Sequence, residues 1–288
     1  MKTVNSLSGG KTSSYIAKHY PADYNVFALV RTDDKNCIYP DKKVRQIVSD
    51  KIGKEFIGTL EEDVIINTML DLEQFIGQKI HWVSGNTFDE VITRGNGKTQ
   101  LPTPMRRFCT VKMKIEPIFN FWKDNINEIV KTRIGFRANE MKRAKTMIDR
   151  CEPTNGIMTY KTIIGKSKNG KRNRWADMPY QIPVFPLIKD GIYKDTIEEY
   201  WKDKPVRFAY MNNCVGCMHR SAILLNHMSK RHTEKFNWFI EKEKKAIESY
   251  KNNQWKEGMT YHEIKNHKTQ LDLFDDDFNE CDSGYCGL

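Results

Sequence analysis

The 288-residue sequence has no apolar run long enough to span a membrane, and its first residues, Met1-Lys2-Thr3, lack the apolar core of a signal peptide. It also has no internal repeat and no long low-complexity linker. We therefore expect a cytoplasmic protein without a membrane partner. The length allows one large domain or two modest ones, with enough chain to bury a stable core.

Basic residues outnumber acidic ones. The chain carries 47 Lys and Arg against 37 Asp and Glu, which gives a net charge of +10. This balance suits a polyanionic partner such as nucleic acid, although a lysine-rich surface also serves solubility. The most basic stretch runs from Lys166 to Arg174. It predicts either a solvated hairpin tip or a loop that contacts nucleic-acid phosphates.

Short apolar runs alternate with amphipathic helical patterns in the first half of the chain, which is typical of an α/β fold with a parallel sheet. The predicted strands are residues 4–7, 24–30, 79–83 and 130–136, and the predicted helices include 41–50 and 61–76. The second half of the chain differs from this pattern. There the apolar segment 182–187 is interrupted by prolines, which predicts an edge strand or an extended segment.

The run Ser8-Gly9-Gly10-Lys11-Thr12-Ser13 follows the first predicted strand and opens a helix. Gly9 and Gly10 let the backbone approach a phosphate, and the helix N-terminus adds partial positive charge. Ser8 and Ser13 offer hydroxyl groups, and Lys11 offers a point charge. A serine N-cap after a Gly-Gly turn is the simpler interpretation. A G-x-x-x-x-G-K-[ST] loop fits poorly, because Asn5 replaces its first glycine.

The run resembles the S-G-G-x-x-[ST] pyrophosphate loop of the PP-loop ATP pyrophosphatases and their relatives, the sulfonucleotide (PAPS) reductases. Three further segments are similar to motifs of this superfamily, in the expected order. Residues 109–117 resemble C-[CT]-x-x-x-K-x-x-P, residues 135–143 resemble G-[IV]-R-[AR]-x-E-x-x-R, and residues 214–217 match the C-x-x-C of PAPS-reductase-domain proteins. The four matches extend over about residues 4–240.

This resemblance implies a Rossmann-like parallel sheet of the adenine nucleotide alpha hydrolase-like type, with helices on both faces and a helical, cysteine-containing C-terminal region. It implies a nucleotide-binding domain over residues 1–150, a basic-loop and C-x-x-C region over 151–258, and a cysteine-containing tail over 259–288. By the same likeness, ATP with Mg²⁺ would be held by Ser8, Gly9, Gly10, Lys11, Thr12 and Ser13.

Two arginines of the 135–143 motif have an implied role as well. Arg137 and Arg143 would meet a substrate phosphate or the leaving pyrophosphate, as bidentate donors can. The alternative is that both arginines pair with Glu140 and nearby carboxylates.

The seven cysteines include two clusters, Cys214 with Cys217 and Cys281 with Cys286. In a reducing compartment, clustered cysteines indicate metal or redox chemistry more than structural disulfides. Cys37 and Cys151 stand alone, and we interpret them as bystanders.

The resemblance to iron–sulfur adenylylsulfate reductases implies a [4Fe–4S] cluster on Cys109, Cys214 and Cys217. Thr110 stands where those reductases have a second cysteine, so the fourth ligand is expected from the tail, with Cys286 preferred to Cys281, or the position is left open for exogenous sulfur. A Zn²⁺ ion held by the two cysteine pairs without Cys109 is the alternative, and free or redox-active thiols are a third.

Three functions stay open. The first is an ATP-dependent adenylating enzyme that releases pyrophosphate and transfers sulfur onto a nucleic acid (tRNA or DNA), with a sulfur-donor protein as partner. Its catalytic residues would be Lys11, Arg137, Arg143 and Cys109. The second is a sulfonucleotide reductase whose cysteine thiolate attacks the sulfur of PAPS or APS. The third is a non-catalytic nucleotide or nucleic-acid binding module. The intact loop at residues 8–13 favours the first.

Overall fold

The structure is a computed structural model that describes residues 1–167, 169–250 and 253–267. The strands are β1 (Thr3–Leu7), β2 (Tyr24–Ala28), β3 (Ile80–Val83), β4 (Val130–Arg133), β5 (Met158–Lys166) and β6 (Asn173–Val184). The helices are α1 (Lys11–His19), α2 (Lys42–Ile52), α3 (Val64–Ile76), α4 (Phe88–Ile92), α5 (Phe108–Thr110), α6 (Glu116–Asn125), α7 (Met141–Cys151), α8 (Pro186–Lys189), α9 (Lys194–Trp201), α10 (Ala222–Arg231), α11 (Thr233–Ser249) and α12 (Tyr261–Asn266). None of the helices in these ranges combines the length and the apolarity that crossing a membrane requires.

The six strands form one sheet in the order β3-β2-β1-β4-β6-β5. β1 pairs in parallel with β2 on one side and with β4 on the other, and β4 pairs in parallel with β6. The chain therefore moves outward from β1 to β3 and returns to the other side of β1 with β4. This reversal creates a switch point at the carboxyl ends of β1 and β4, where open α/β sheets bind ligands. The α/β class with a mostly parallel sheet confirms the coarse fold prediction.

β6 shows how a proline-interrupted segment is accommodated inside a sheet. The sequence predicts an edge or extended segment over residues 182–187, and the structure makes residues 182–184 the end of β6. β6 lies between β4 and β5, but its pairing with β5 ends at Gln181. Pro183 is opposite Thr132 of β4. At this point β6 has a strand on one side alone, so the missing N–H of proline costs no ladder hydrogen bond on the other.

The helix that follows β2 and α2 begins later than its sequence pattern predicts. Its apolar stripe extends over residues 61–76, yet α3 begins at Val64. The backbone of Glu61 instead forms a β-bridge with Cys214, and the carboxylate of Glu62 accepts a hydrogen bond from the backbone N–H of Met211 at 2.6 Å. Ile65 is fully buried, as the core interpretation of the stripe requires.

The described chain divides into two compact units, and each is built from separate segments. Unit 1 contains Met1–Phe27, Leu72–His81 and Ile118–Val206, and unit 2 contains Ala28–Asp71, Trp82–Pro117 and the chain from Arg207 onward. β1, β4, β5 and β6 belong to unit 1, whereas α10, α11 and α12 belong to unit 2. The predicted functional regions 1–150, 151–258 and 259–288 stay a prediction.

Candidate functional site

The turn at residues 8–13, here called the Gly-Gly turn, joins the carboxyl end of β1 to α1 in unit 1. Gly9 has a φ of +78°, a left-handed conformation that strongly favours glycine. Gly10 is the N-cap of α1 in an extended conformation. The Ser13 hydroxyl donates to the Gly10 carbonyl at 3.0 Å and accepts from the Ser8 N–H at 3.2 Å. The turn is thus closed by its own serines, at the positions the sequence analysis selected.

Gly135, which follows β4, lies directly against this turn. A Cβ atom on Gly135 would be 3.3 Å from the Thr12 methyl group and 3.8 Å from the Ser13 backbone nitrogen. The close approach shows that the carboxyl ends of β1 and β4 meet at the start of α1. Two of the four sequence motifs, separated by more than a hundred residues, are therefore adjacent at the switch point of the sheet.

Lys11 makes a contact that the sequence did not predict. Its ammonium group forms an ion pair with Glu198 of α9. The indole of Trp201, also in α9, donates to the Lys11 carbonyl at 3.0 Å. α9 therefore holds the first turn of α1, and a carboxylate stands beside the cation that we assigned to phosphate.

The two arginines of the 135–143 motif share one carboxylate. Glu140 accepts from the Arg137 guanidinium at 3.0 Å and from the Arg137 backbone N–H at 2.9 Å, and it also pairs with Arg143. The guanidinium of Arg143 lies 4.2 Å from the centre of the Phe136 ring. The pairing with Glu140 that we considered as an alternative is therefore present.

A second candidate site lies in unit 2, in a pocket that is partly open to solvent. Cys109, Cys214 and Cys217 all line it, together with Lys114 and His219. Its remaining wall is largely apolar and includes Met113, Met218, Phe88, Phe239 and Trp255. The fold thus brings Cys109 to the C-x-x-C turn across about a hundred residues of sequence, as the resemblance implies.

The C-x-x-C turn (residues 214–217) is built around a buried cation. Arg220 is 0% exposed, and its guanidinium donates to the Asn212 carbonyl at 2.6 Å and to the Cys214 carbonyl at 3.2 Å. Within the described residues Arg220 has no carboxylate partner. Backbone carbonyl groups of the turn and of the residues before it therefore hold this buried guanidinium in place. Arg220 had no predicted role, although its position three residues after Cys217 is a local signal.

Two further pocket residues were not assigned a role from the sequence. The ammonium of Lys114 lies 3.0 Å from Oε1 of Glu61, the residue that forms the β-bridge with Cys214. Lys114 occupies the lysine position of the C-[CT]-x-x-x-K motif, which could have identified it. Burial lowers the pKa of His219, and the charges of Arg107 and Lys256 lower it further, so the imidazole is neutral at pH 7.

The cysteine donors suit a metal by their chemistry, since three thiolates are typical ligands of iron–sulfur clusters and of zinc. Within residues 1–167, 169–250 and 253–267, however, no three His, Cys, Asp or Glu side chains are arranged as a ready ligand set. Cys281 and Cys286, predicted to complete either metal site, lie outside the described residues. That Cys109, Cys214 and Cys217 together bind one metal centre therefore stays a prediction.

The two isolated cysteines are buried free thiols. Burial raises the pKa of Cys37 to about 12 and also raises the pKa of Cys151. Both are therefore protonated at neutral pH, and a protonated thiol is neither a good nucleophile nor a metal ligand. Their environments agree with the interpretation of both as bystanders.

The packing under the C-x-x-C turn predicts the cost of a substitution at Gly216. A Cβ atom there would lie 2.5 Å from the ring of Phe239, which is fully buried. We expect Gly216→Ala to lower the free energy of unfolding by about 1–3 kcal/mol, because the ring cannot move without displacing its neighbours. Urea unfolding measures this. Gly95→Ala is the control, since an added Cβ there meets nothing within 4 Å. Equal stability of the two variants would contradict the predicted clash.

No protein-family model matches the chain, no curated protein matches it, and no solved structure matches it.

Proposed function

We propose that this chain is an ATP-dependent adenylating enzyme, of the PP-loop ATP pyrophosphatase type, that couples pyrophosphate release to sulfur transfer onto a nucleic acid. The observation that supports it most is the position of the Gly-Gly turn, at the carboxyl end of β1 and against Gly135. A glycine turn, a helix N-terminus and a sheet switch point coincide there, and each favours a bound phosphate. In this proposal the sheet is Rossmann-like, of the adenine nucleotide alpha hydrolase-like type.

In the nucleotide complex, the backbone of residues 8–13 would hold the phosphates, and the Ser8 and Ser13 hydroxyls would turn toward the same oxygens. Lys11 would exchange Glu198 for a phosphate oxygen, and Arg137 and Arg143 would exchange part of their contact with Glu140. Each exchange replaces one anionic partner by another, so it leaves no cation unpaired in a partly buried place. Mg²⁺, when bound with ATP, would supply further charge neutralisation on the phosphates.

The reaction has two steps in this proposal. An oxygen of the acceptor attacks the α-phosphorus, the bond to the β-phosphate breaks, and pyrophosphate leaves. The positive groups around the turn stabilise the charge that develops on the leaving group. A sulfur nucleophile then attacks the atom that bears the adenylated oxygen, and AMP leaves. Cys109, Cys214 and Cys217 are the thiolates that this chain offers for sulfur chemistry, either as ligands of a [4Fe–4S] cluster or directly.

The acceptor is proposed to be a nucleic acid because the hairpin formed by β5 and β6 (residues 158–184, the basic hairpin) ends in a positively charged tip. In the tip, the Ser167 N–H donates to the Arg172 carbonyl at 2.7 Å, and Lys166, Lys171, Arg172 and Arg174 are exposed. The stretch is thus a hairpin tip, as one of our two alternatives predicted, and a tip of this charge can also contact phosphates.

We expect the combined substitution of Lys166, Lys171 and Arg172 by alanine to weaken nucleic-acid binding regardless of sequence. Three lost phosphate contacts should flatten the plot of log K against log[salt] by roughly two to three units of slope. Fluorescence anisotropy with a labelled oligonucleotide at several salt concentrations measures this. Removal of Lys230, Lys244 and Lys245, all exposed in unit 2, is the charge-matched control. If the slope of log K against log[salt] were unchanged in the hairpin variant, the tip would be a solvated surface that does not contact nucleic-acid phosphates.

The proposed activity is tested by pyrophosphate release from ATP, with anaerobically purified protein and with tRNA and DNA as acceptors. With sulfide added as the sulfur nucleophile, we expect pyrophosphate and AMP in equal amounts, because AMP leaves only when sulfur displaces it. Reduction of PAPS to sulfite without ATP consumption would assign the chain to the sulfonucleotide reductases instead. Absence of both activities, with ATP still bound, would favour a non-catalytic nucleotide-binding module.

A further inference from the structure

The six tryptophans of the chain fall into two groups by exposure. Five are at most 6% exposed, whereas Trp175 in β6 is 56% exposed. A tryptophan offers the largest apolar surface of any side chain, and its exposure indicates a contact surface more than a core position. Its cross-strand neighbour Ile163 is also exposed, at 42%.

Strand pairing explains why Trp175 is not covered. β6 pairs with β4 over residues 181–184 only, whereas it pairs with β5 from Asn173 onward. Among the described residues, the stretch 173–180 therefore has a strand neighbour on one side only, and this part of the basic hairpin is a two-stranded ribbon. Trp175 is directly opposite Ile163, so the two side chains share one face of the ribbon.

Basic residues flank this apolar pair on the same face. Because side chains alternate along a strand, Asn173 and Asp177 lie on the face of Trp175. Lys166 is opposite Asn173 and Lys161 is opposite Asp177, which places a lysine on each side of Trp175 along the ribbon. Over residues 158–184 the sequence has six Lys and Arg, and Asp177 is the one acidic residue. The ribbon thus combines an exposed aromatic ring with a strongly positive charge.

We infer that Trp175, supported by Ile163, is a stacking platform for an unpaired base of a single-stranded nucleic acid, DNA or RNA, with Lys161 and Lys166 on the flanking phosphates. The inference deepens the proposed function and rests on its nucleic-acid acceptor. An aromatic ring binds the face of a base, and in a duplex both faces are covered by neighbouring base pairs. The ribbon should therefore prefer single strands. A second copy of this chain is a poor partner for this face, because the two positively charged ribbons would repel each other.

The test uses the full-length protein and a fluorescein-labelled 20-nucleotide strand of mixed sequence, as DNA and as RNA, each alone and annealed to its complement. We expect wild-type protein to bind the single strand more tightly than the duplex. Trp175→Ala should weaken single-strand binding roughly 5- to 100-fold, which is the loss of one base–aromatic stack. Trp175→Phe should restore most of it, and the salt slope should stay unchanged because no charge is removed. Comparison of the DNA strand with the RNA strand shows which nucleic acid supplies the stacked base.

Tyr193→Ala is the matched control, since Tyr193 is also an exposed aromatic residue of unit 1, at 54%. This variant should bind the single strand with the same affinity as the wild type. Equal affinity of Trp175→Ala and wild type, or equal wild-type affinity for single strand and duplex, would overturn the stacking inference alone. A wild-type protein that binds no oligonucleotide would overturn both this inference and the nucleic-acid acceptor. A self-association that Trp175→Ala abolishes in sedimentation velocity, without a change in oligonucleotide affinity, would assign this face to a protein contact.

Discussion

Gly10→Val should lose ATP binding and pyrophosphate release while the protein stays folded. Gly10 is buried at the N-cap of α1. Its φ of −95° and ψ of 159° lie in the extended region, which valine adopts readily. The backbone therefore tolerates the change. The new methyl groups would occupy the space in which a phosphate approaches the N–H groups of α1. We expect affinity for ATP to fall at least roughly 100-fold, or about 2.7 kcal/mol, as measured by isothermal titration calorimetry.

The matched control for this experiment is Gly95→Val, because a Cβ atom at Gly95 meets nothing within 4 Å. It should bind ATP as the wild type does. Gly9 is unsuitable as the test position, since its φ of +78° would strain a valine there. A loss of ATP binding could then result from misfolding and not from a blocked phosphate site. If folded Gly10→Val protein, verified by circular dichroism, bound ATP with unchanged affinity, the Gly-Gly turn would have no role in nucleotide binding and the proposed function would fail.

Cys109→Ser should lose most of the metal that the anaerobically purified protein contains. Cys109 lines the same pocket as Cys214 and Cys217. In a cluster site, loss of one of its thiolates should remove most of the iron, the acid-labile sulfide and the visible absorbance together. Metal analysis, sulfide analysis and absorption spectroscopy of the same preparation measure these three quantities.

Cys37→Ser and Cys151→Ser are the controls, because both thiols are buried and held protonated. They should leave iron, sulfide and absorbance at the wild-type level. Cys281→Ser separates the two metal hypotheses. If Cys109→Ser retains all of the metal while Cys281→Ser loses it, the site is a zinc site of two cysteine pairs, and Cys109 is a pocket residue without a metal role.

Several features of the fold were predictable because they depend on residues close in sequence. Asp41 caps α2 through its side chain, which accepts from the Lys43 and Val44 N–H groups, and Gly53 ends the helix with a φ of +64°. The β1–turn–α1 unit likewise follows from one apolar run, two glycines and a serine. Even the pairing of Arg137 and Arg143 with Glu140 was foreseeable, since three residues separate each pair on one turn.

Other features depend on contacts that no local pattern encodes. Lys11 and Glu198 are 187 residues apart, and only the packing of α9 on α1 brings them together. Arg220 follows the C-x-x-C turn closely in sequence, but its burial requires the carbonyl groups of the turn to point inward around it. Cys109 was connected to that turn by resemblance, and its place in one pocket with Cys214 and Cys217 needed the fold of unit 2.

The sequence by itself determined the α/β class, the glycine turn at the end of β1 and the positive charge of the hairpin, because propensity, turn conformation and charge belong to individual residues and their neighbours. The exposure of Trp175 was decided by tertiary structure alone. A tryptophan in a strand is normally covered by neighbouring strands or helices, and this one is 56% exposed in a part of β6 that β4 does not reach, because β4 begins at Val130, opposite Gln181. The length of a neighbouring strand is set by distant parts of the chain, so no pattern around Trp175 could predict which side of it would stay open.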